Sequence, residues 1–299
     1  VDRVPRRLEV SASTLTTRTI RANGLTFTAH VRGDGPRLAL LLHGFPDDAG
    51  SMLPLAERLA TSGYTAVAPY MRGYAPTERP ADGRFGAATL GQDALELVTA
   101  LGHRRAIVVG HDWGAVAGYA AATLDPERVE RLVALSVPPP RVFLRNLARH
   151  PGQLGRSSYM AFFNLPWVPE RALRSNGMAM IDALWTRWAS SFTPPPGRLD
   201  EVKRTLSTPG TLSAALGYYR ALRAPSRAER RLLRRRVGAP TLVVTGDADG
   251  CIAPAAFDGL DDGFVAPRRF VVLPGVGHFV PLEATCEVAR LIQEFGARK

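Results

Sequence analysis

Cysteine and lysine are scarce in this 299-residue chain: Cys251 and Cys286 are the only thiols, and Lys203 and Lys299 the only lysines. Two thiols cannot make a disulfide framework, so a reducing cytoplasm is the expected setting. No His-x-x-x-His or Cys-x-x-Cys spacing offers metal ligands. Neither a G-x-x-x-x-G-K-[ST] phosphate loop nor a dinucleotide fingerprint occurs, so no cofactor is expected. No apolar run approaches the roughly 18 residues needed to cross a bilayer, and no membrane partner is expected. The N-terminal VDRVPRRLEVSAS is basic but lacks a following apolar stretch, so no secretory signal is read there; the first residue is not Met, which leaves a removed leader open.

What is present is an ordinary globular composition, 45% hydrophobic and 22% charged, which argues against disorder. The length suits one domain with a sizeable insertion. A net charge of +11, almost all of it from arginine, raises the question of a nucleic-acid or anionic partner. The arginines are spread along the chain and no nucleic-acid-binding motif accompanies them, so no nucleic acid is expected. The densest run, Arg223 to Arg236, reads as a solvated helix face ahead of the next strand.

Thr16 to Arg21 and Leu25 to Arg32 are β-rich runs around Asn23-Gly24, a hairpin signal. Leu38 to Leu42 is continuously apolar, as for a strand buried on both faces. Helices and strands then alternate: helix from Met52 to Ser62, strand from Thr65 to Tyr70, helix from Leu90 to Leu101, strand from Ala106 to Gly110, helix from Ala115 to Leu124, strand from Arg131 to Val137. This alternation predicts an α/β fold with a mostly parallel sheet and helices on both faces. Pro138-Pro139-Pro140 breaks the pattern after the sixth strand, and the next hundred residues show helical fragments without a convincing buried strand. Alternation resumes with Thr241 to Gly246, a helix, Phe270 to Leu273, and a last helix from Cys286 to Phe295. The expected organisation is a core of residues 1–137 and 238–299 interrupted by a helical cap over 138–237.

The strand AIVVG runs through Gly110-His111-Asp112-Trp113-Gly114 into a helix. A nucleophile on such a turn needs small residues two before and two after, because the backbone is crowded. Asp112 stands where Ser is usual; the alternative is an Asp that caps the helix. His43-Gly44-Phe45-Pro46 follows the strand over 38–42 and can aim the Phe45 amide into the same space as the Trp113 amide, an oxyanion hole. Asp247 and Asp249 follow the strand over 241–246, and His278 follows the last strand. Nucleophile, acid and histidine each fall at a strand's C-terminal end. The strand over 131–137 is followed by SVPPPRVF, with no carboxylate, which leaves the acid to Asp247 or Asp249. His43 and His111 read as loop-holding hydrogen-bonders; His30, His103 and His150 carry no motif.

On these motifs the chain resembles the α/β-hydrolase superfamily, and within it the epoxide hydrolases, from about Leu25 to Phe295. The sharpest matches are HGFP, RGYAPT (Arg72 to Thr77) and GHDWGA (Gly110 to Ala115). SSYMAFFNLPWVPE (Ser157 to Glu170) and GYYR (Gly217 to Arg220) are similar to the cap segments that carry that family's ring-opening tyrosines, which implies Tyr159 and Tyr219, with Tyr218 as fallback. The family's G-x-x-D spacing selects Asp249 as the acid. Ser51-Met52, Tyr70 and Ala75 depart from frequent family residues. The tyrosine count agrees: of seven, only Tyr159, Tyr218 and Tyr219 lie in the insertion. A phenol with a pKa near about 10 is a neutral donor for an opening epoxide oxygen.

The expected reaction is attack of Asp112 on an apolar epoxide carbon with Tyr159 and Tyr219 protonating the oxygen. His278, oriented by Asp249, then activates water against the ester, with the Phe45 and Trp113 amides holding the oxyanion. His278 acts as base above an ordinary pKa of about 6.5. Phe162, Phe163 and Trp185, with Trp113, are the candidates to line the pocket. The partners are therefore a small-molecule epoxide and water. A dehalogenase shares the Asp nucleophile, but its halide leaving group needs N–H donors and no proton, and Phe45 has no side-chain donor. A serine esterase would need Ser at the elbow. A non-catalytic small-ligand binder is the remaining alternative, and the presence of Asp112, His278 and Asp249 together speaks against it.

Overall fold

The computed structural model describes residues 14–189 and 191–297; the basic segment over 1–13, read as carrying no secretory signal, lies outside the described residues. Eight strands form one sheet: β1 (Thr16–Ala22), β2 (Leu25–Arg32), β3 (Arg37–Leu42), β4 (Tyr64–Pro69), β5 (Ala106–His111), β6 (Val129–Leu135), β7 (Thr241–Gly246) and β8 (Arg268–Leu273). Their spatial order is β1-β2-β4-β3-β5-β6-β7-β8, with β1, β2 and β4 joined antiparallel and every other pair parallel. The β1–β2 turn is Asn23-Gly24, both at positive φ, as a two-residue hairpin requires. β2 alternates buried and half-buried positions, while β5 and β7 are buried throughout, because helices cover both faces there.

The helices are α1 (Leu53–Ala60), α2 (Ala87–Ala100), α3 (Trp113–Leu124), α4 (Pro140–Arg149), α5 (Pro151–Arg156), α6 (Ser158–Phe163), α7 (Val168–Arg174), α8 (Ala179–Ala189), α9 (Arg198–Ser207), α10 (Thr211–Ala221), α11 (Arg227–Arg234), α12 (Val280–Glu283) and α13 (Thr285–Ala297). On one face of the sheet, Leu55 and Leu59 of α1 and Val288, Leu291 and Ile292 of α13 pack on Leu41, Val109 and Val244; Met52 belongs to this layer. On the other, Leu90, Ala94 and Leu97 of α2 and Ala117 and Ala121 of α3 pack on Leu40 and Val108. Between β6 and β7 the chain forms α4 to α11 and, among the described residues, no strand. Among those residues no helix is long and apolar enough to cross a membrane.

One expected element differs. The stretch between β7 and β8, read as a helix, forms two short 3-10 turns, Pro254–Phe257 and Leu260–Gly263. Gly259 sits at φ 62 and Pro254 lacks an amide proton, so a continuous α-helix is interrupted there. β8 is the sheet edge, and its burial alternates, leaving Phe270 and Val272 partly exposed.

Candidate active site

β5 lies between β3 and β6, so the turn after it opens at the middle of the sheet's C-terminal edge. Asp112 occupies that turn with φ 51 and ψ −116, a conformation that costs a non-glycine residue about 1–3 kcal/mol. The flanking glycines follow from collisions. A Cβ at Gly110 would stand 2.2 Å from the Gly114 carbonyl oxygen, and one at Gly114 would stand 2.0 Å from that of Leu42. The Asp112 side chain makes no capping bond to α3, which disposes of the helix-cap alternative. Instead its Oδ1 accepts from the Phe45 amide at 2.9 Å. A Cβ at Gly44 would lie 2.4 Å from the Asp112 Cβ, so only glycine lets the β3 loop come this close. Trp113 opens α3, where the first-turn amides have no intrahelical acceptor.

His278 is fully buried beside Asp112. Its Nδ1 lies 2.8 Å from Asp249 Oδ2, and its Nε2 lies 3.7 Å from Asp112 Oδ2, too long for a hydrogen bond. That Nε2 has no protein partner. Asp249 Oδ1 accepts from the amides of Cys251 (2.6 Å) and Ile252 (2.8 Å), so both carboxylate oxygens are engaged and the imidazole is held with Nε2 toward Asp112. Burial opposes protonation of His278, but the Asp249 carboxylate, with Asp112, outweighs it and pushes the imidazole up to about 10. The sequence expectation of an ordinary value is thereby corrected. Burial likewise works against the Asp112 charge, yet neighbouring His278 offsets it and holds the carboxyl below its ordinary value. Asp247, the other acid considered, accepts from the Gly275 amide at 2.7 Å and holds a turn. His43 accepts from the Met71 amide at 3.0 Å, and His111 Nε2 contacts the His278 carbonyl at 2.9 Å; burial lowers them to about 4 and about 3, so both are neutral.

A cavity of about 200 Å³ opens onto Asp112. Trp113, Tyr159, Tyr218 and Tyr219 line it together with Val116, Phe143, Leu147, Met160 and Leu233. The Tyr219 hydroxyl is buried beside Trp113 and Tyr159 without a hydrogen bond of normal geometry, whereas Tyr218 donates to the Arg72 carbonyl at 2.8 Å. Of the adjacent pair, Tyr219 therefore has the less engaged hydroxyl. Tyr159 packs edge-on to Tyr219, with centroids 5.9 Å apart, and its hydroxyl lies 3.4 Å from Cys251 Sγ. Burial pushes all three phenols well above their ordinary value, so they are protonated at neutral pH.

Three expected pocket residues are not in that lining. Trp185 donates its indole N–H to the Pro46 carbonyl at 2.8 Å and stacks on Phe279. Phe163 packs edge-on behind Phe45 and Tyr219, and Phe162 packs on Phe163. Sequence reasoning missed the α4 and α11 residues that line the cavity instead; the Phe143/Leu147 spacing on α4 was the available signal. It also missed buried Gln153, whose amide donates to the Cys251 carbonyl and whose Oε1 accepts from the Ala253 amide, both at 2.9 Å. Arg156 adds a bond to the Asp249 carbonyl at 2.8 Å, so α5 grips the loop that carries the acid. An isolated glutamine gives no signal in sequence.

A family model for the α/β hydrolase fold matches residues 39–285. The chain is 36% identical over 217 residues to the AB hydrolase superfamily protein YfhM of Bacillus subtilis, covering 71% of this chain and 74% of that one. It is 30% identical over 267 residues to epoxide hydrolase 3 of Mus musculus, covering 88% and 71%. The crystal structure of an epoxide hydrolase from Vigna radiata superposes with a TM-score of 0.81 at 28% identity, over 94% of this chain and 97% of that one. With an aspartate at the elbow and these relatives, the chain belongs to the α/β-hydrolase family, on its epoxide hydrolase branch.

Proposed function

We propose that the enzyme converts an apolar epoxide to a vicinal diol through an ester on Asp112. The observation that carries this reading is the pair of phenols, Tyr159 and Tyr219, in a mostly apolar cavity whose lining includes Asp112. In this reading residues 138–237 are a cap that brings phenols to a nucleophile supplied by the core of 1–137 and 238–299.

Asp112 Oδ attacks one epoxide carbon, the C–O bond breaks, and Tyr159 and Tyr219 share in protonating the departing oxygen. Esterification removes the Asp112 charge, so one of the two carboxylates that raise His278 is lost and its pKa falls. The imidazolium then gives its proton through solvent to the phenolate, and the neutral His278 left behind is a base. Nε2 takes a proton from water, whose oxygen adds to the ester carbonyl while the Phe45 and Trp113 amides bind the oxyanion, each worth about 3–4 kcal/mol. Collapse releases the diol with the His278 proton on its oxygen, and the Asp112 acid proton passes to His278, which restores the resting imidazolium and carboxylate. Asp249 fixes the imidazole throughout.

The test is mass spectrometry of His278→Gln after incubation with aryl and alkyl epoxides. An added substrate mass on the Asp112 peptide is expected. An adduct formed only with a haloalkane would instead make the enzyme a dehalogenase, and no adduct with either would remove Asp112 as nucleophile.

A further inference from the structure

Charge is divided unevenly along the chain. Residues 138–237 contain 18 Lys/Arg against five Asp/Glu, a net +13, while the remainder holds 20 against 22, a net −2. The helical segment therefore carries all of the excess positive charge. It also carries the most exposed large apolar side chain among the described residues: Trp167 is 82% exposed, flanked by exposed Leu165 and Val168. Trp167 is held at φ 59, a left-handed conformation that a bulky residue rarely adopts. Arg171 and Arg174, both exposed, share an open concavity with it.

This loop is tied to the mouth of the cavity. Arg220 donates to the Leu165 carbonyl at 2.9 Å and Arg223 to the Asn164 carbonyl at 3.2 Å. Those arginines bracket Leu222, which lines the cavity while 46% exposed; Leu144 on α4 does the same at 51%. Arg227, Arg230 and Arg231 on α11 are exposed nearby in sequence.

We propose that this face of the helical segment docks on an anionic lipid bilayer, with Trp167, Leu165 and Val168 entering the interface and Arg171 and Arg174 meeting the headgroups. A bilayer satisfies both features at once, since a tryptophan prefers the headgroup level and arginines gain there from anionic lipid. Nucleic acid answers the charge but leaves Leu165 and Val168 without an apolar partner. A second copy answers the apolar residues but brings two segments of net +13 together. Docking would turn the apolar lips of the cavity toward the phase in which an apolar substrate accumulates. The surface stands whether or not the reaction is epoxide hydrolysis, because binding is measured without substrate.

The experiment is co-sedimentation with vesicles of phosphatidylcholine, alone or mixed with phosphatidylglycerol, at low and high salt. Trp113, Trp185 and Trp188 are buried, so a blue shift of tryptophan emission on the mixed vesicles reports Trp167. Binding to mixed vesicles, lost at high salt, is expected. Trp167→Gly, which relieves the left-handed strain, should weaken it about tenfold or more while leaving hydrolysis of a dissolved epoxide unchanged. The proposal is overturned by no binding to mixed vesicles, or by binding that Trp167→Gly leaves intact. Salt-sensitive binding to duplex DNA in place of vesicles would assign the face to nucleic acid. A Trp167-dependent dimer would assign it to a second copy.

Discussion

The Phe45 amide and Asp112 Oδ1 are 2.9 Å apart, so one carboxylate oxygen is fixed by backbone and the other is left facing His278. The contact exists because Gly44 has no side chain: a Cβ there would lie 2.4 Å from the Asp112 Cβ and Oδ1. Gly44→Ala should therefore displace the β3 loop and lower kcat about 10²-fold or more, the loss seen when one oxyanion donor is removed. Circular dichroism should stay that of the native fold. Unchanged kcat in the Gly44→Ala variant would mean that the Phe45 amide is not used.

Tyr219 and Tyr218 are adjacent but differently engaged, and substitution should separate them. Tyr219→Phe removes the less engaged hydroxyl and should slow single-turnover ester formation by about 10²-fold, within the range for a positioned acid. Tyr218→Phe removes the bond to the Arg72 carbonyl and should lower stability by about 1 kcal/mol with a small effect on that step. The reverse ordering would exchange the two roles. Tyr159→Phe should resemble Tyr219→Phe.

His278 gives a pH signature. Its folded value near 10 lies above the ordinary 6.5, so its protonated form stabilises the fold fully below pH 6.5, and that contribution is lost as pH rises through 10. Asp112, held below its ordinary value, contributes above that value and loses its contribution as pH falls. Melting temperature should thus decline between pH 6.5 and 10 in the native protein and decline less in His278→Gln. Equal slopes would show that His278 is not protonated in the resting enzyme. Asp249→Asn should cut ester hydrolysis by about 10²–10⁴-fold with ester formation less affected.

Gln153 has a structural prediction. It is buried, and its side chain serves the Cys251 carbonyl and the Ala253 amide. Gln153→Ala leaves both groups without that partner and should cost about 1–3 kcal/mol in urea unfolding. Because the same loop holds Asp249, the variant's ester hydrolysis should fall more than its ester formation.

The elbow was legible because backbone collisions leave Gly110 and Gly114 no alternative, and the mostly parallel sheet was legible from continuously apolar runs such as Leu38 to Leu42. The choice of Tyr219 over Tyr218 was not legible from the residues, since two neighbours on a helix are separated only by where each hydroxyl points. The setting of Trp185 was hidden for a related reason. Composition supplies a large apolar ring, but not that its indole N–H donates to the Pro46 carbonyl. The raised His278 value depends on two carboxylates remote in sequence, and no local pattern encodes it.

β6 and β7 pair directly, Leu132 beside Thr241 and Leu135 beside Val244, although the whole helical segment separates them in the chain. The chain leaves the sheet and comes back to the neighbouring lane, so the sheet places no demand on the length or content of the detour. Strand register sets where Asp112, Asp249 and His278 leave the sheet, and the detour adds bonds from Gln153, Arg156 and Trp188 to the loops that follow. The molecule is therefore partly modular: the excursion can be rewritten around the cavity wherever its residues neither supply the phenols nor hold the Asp249 loop.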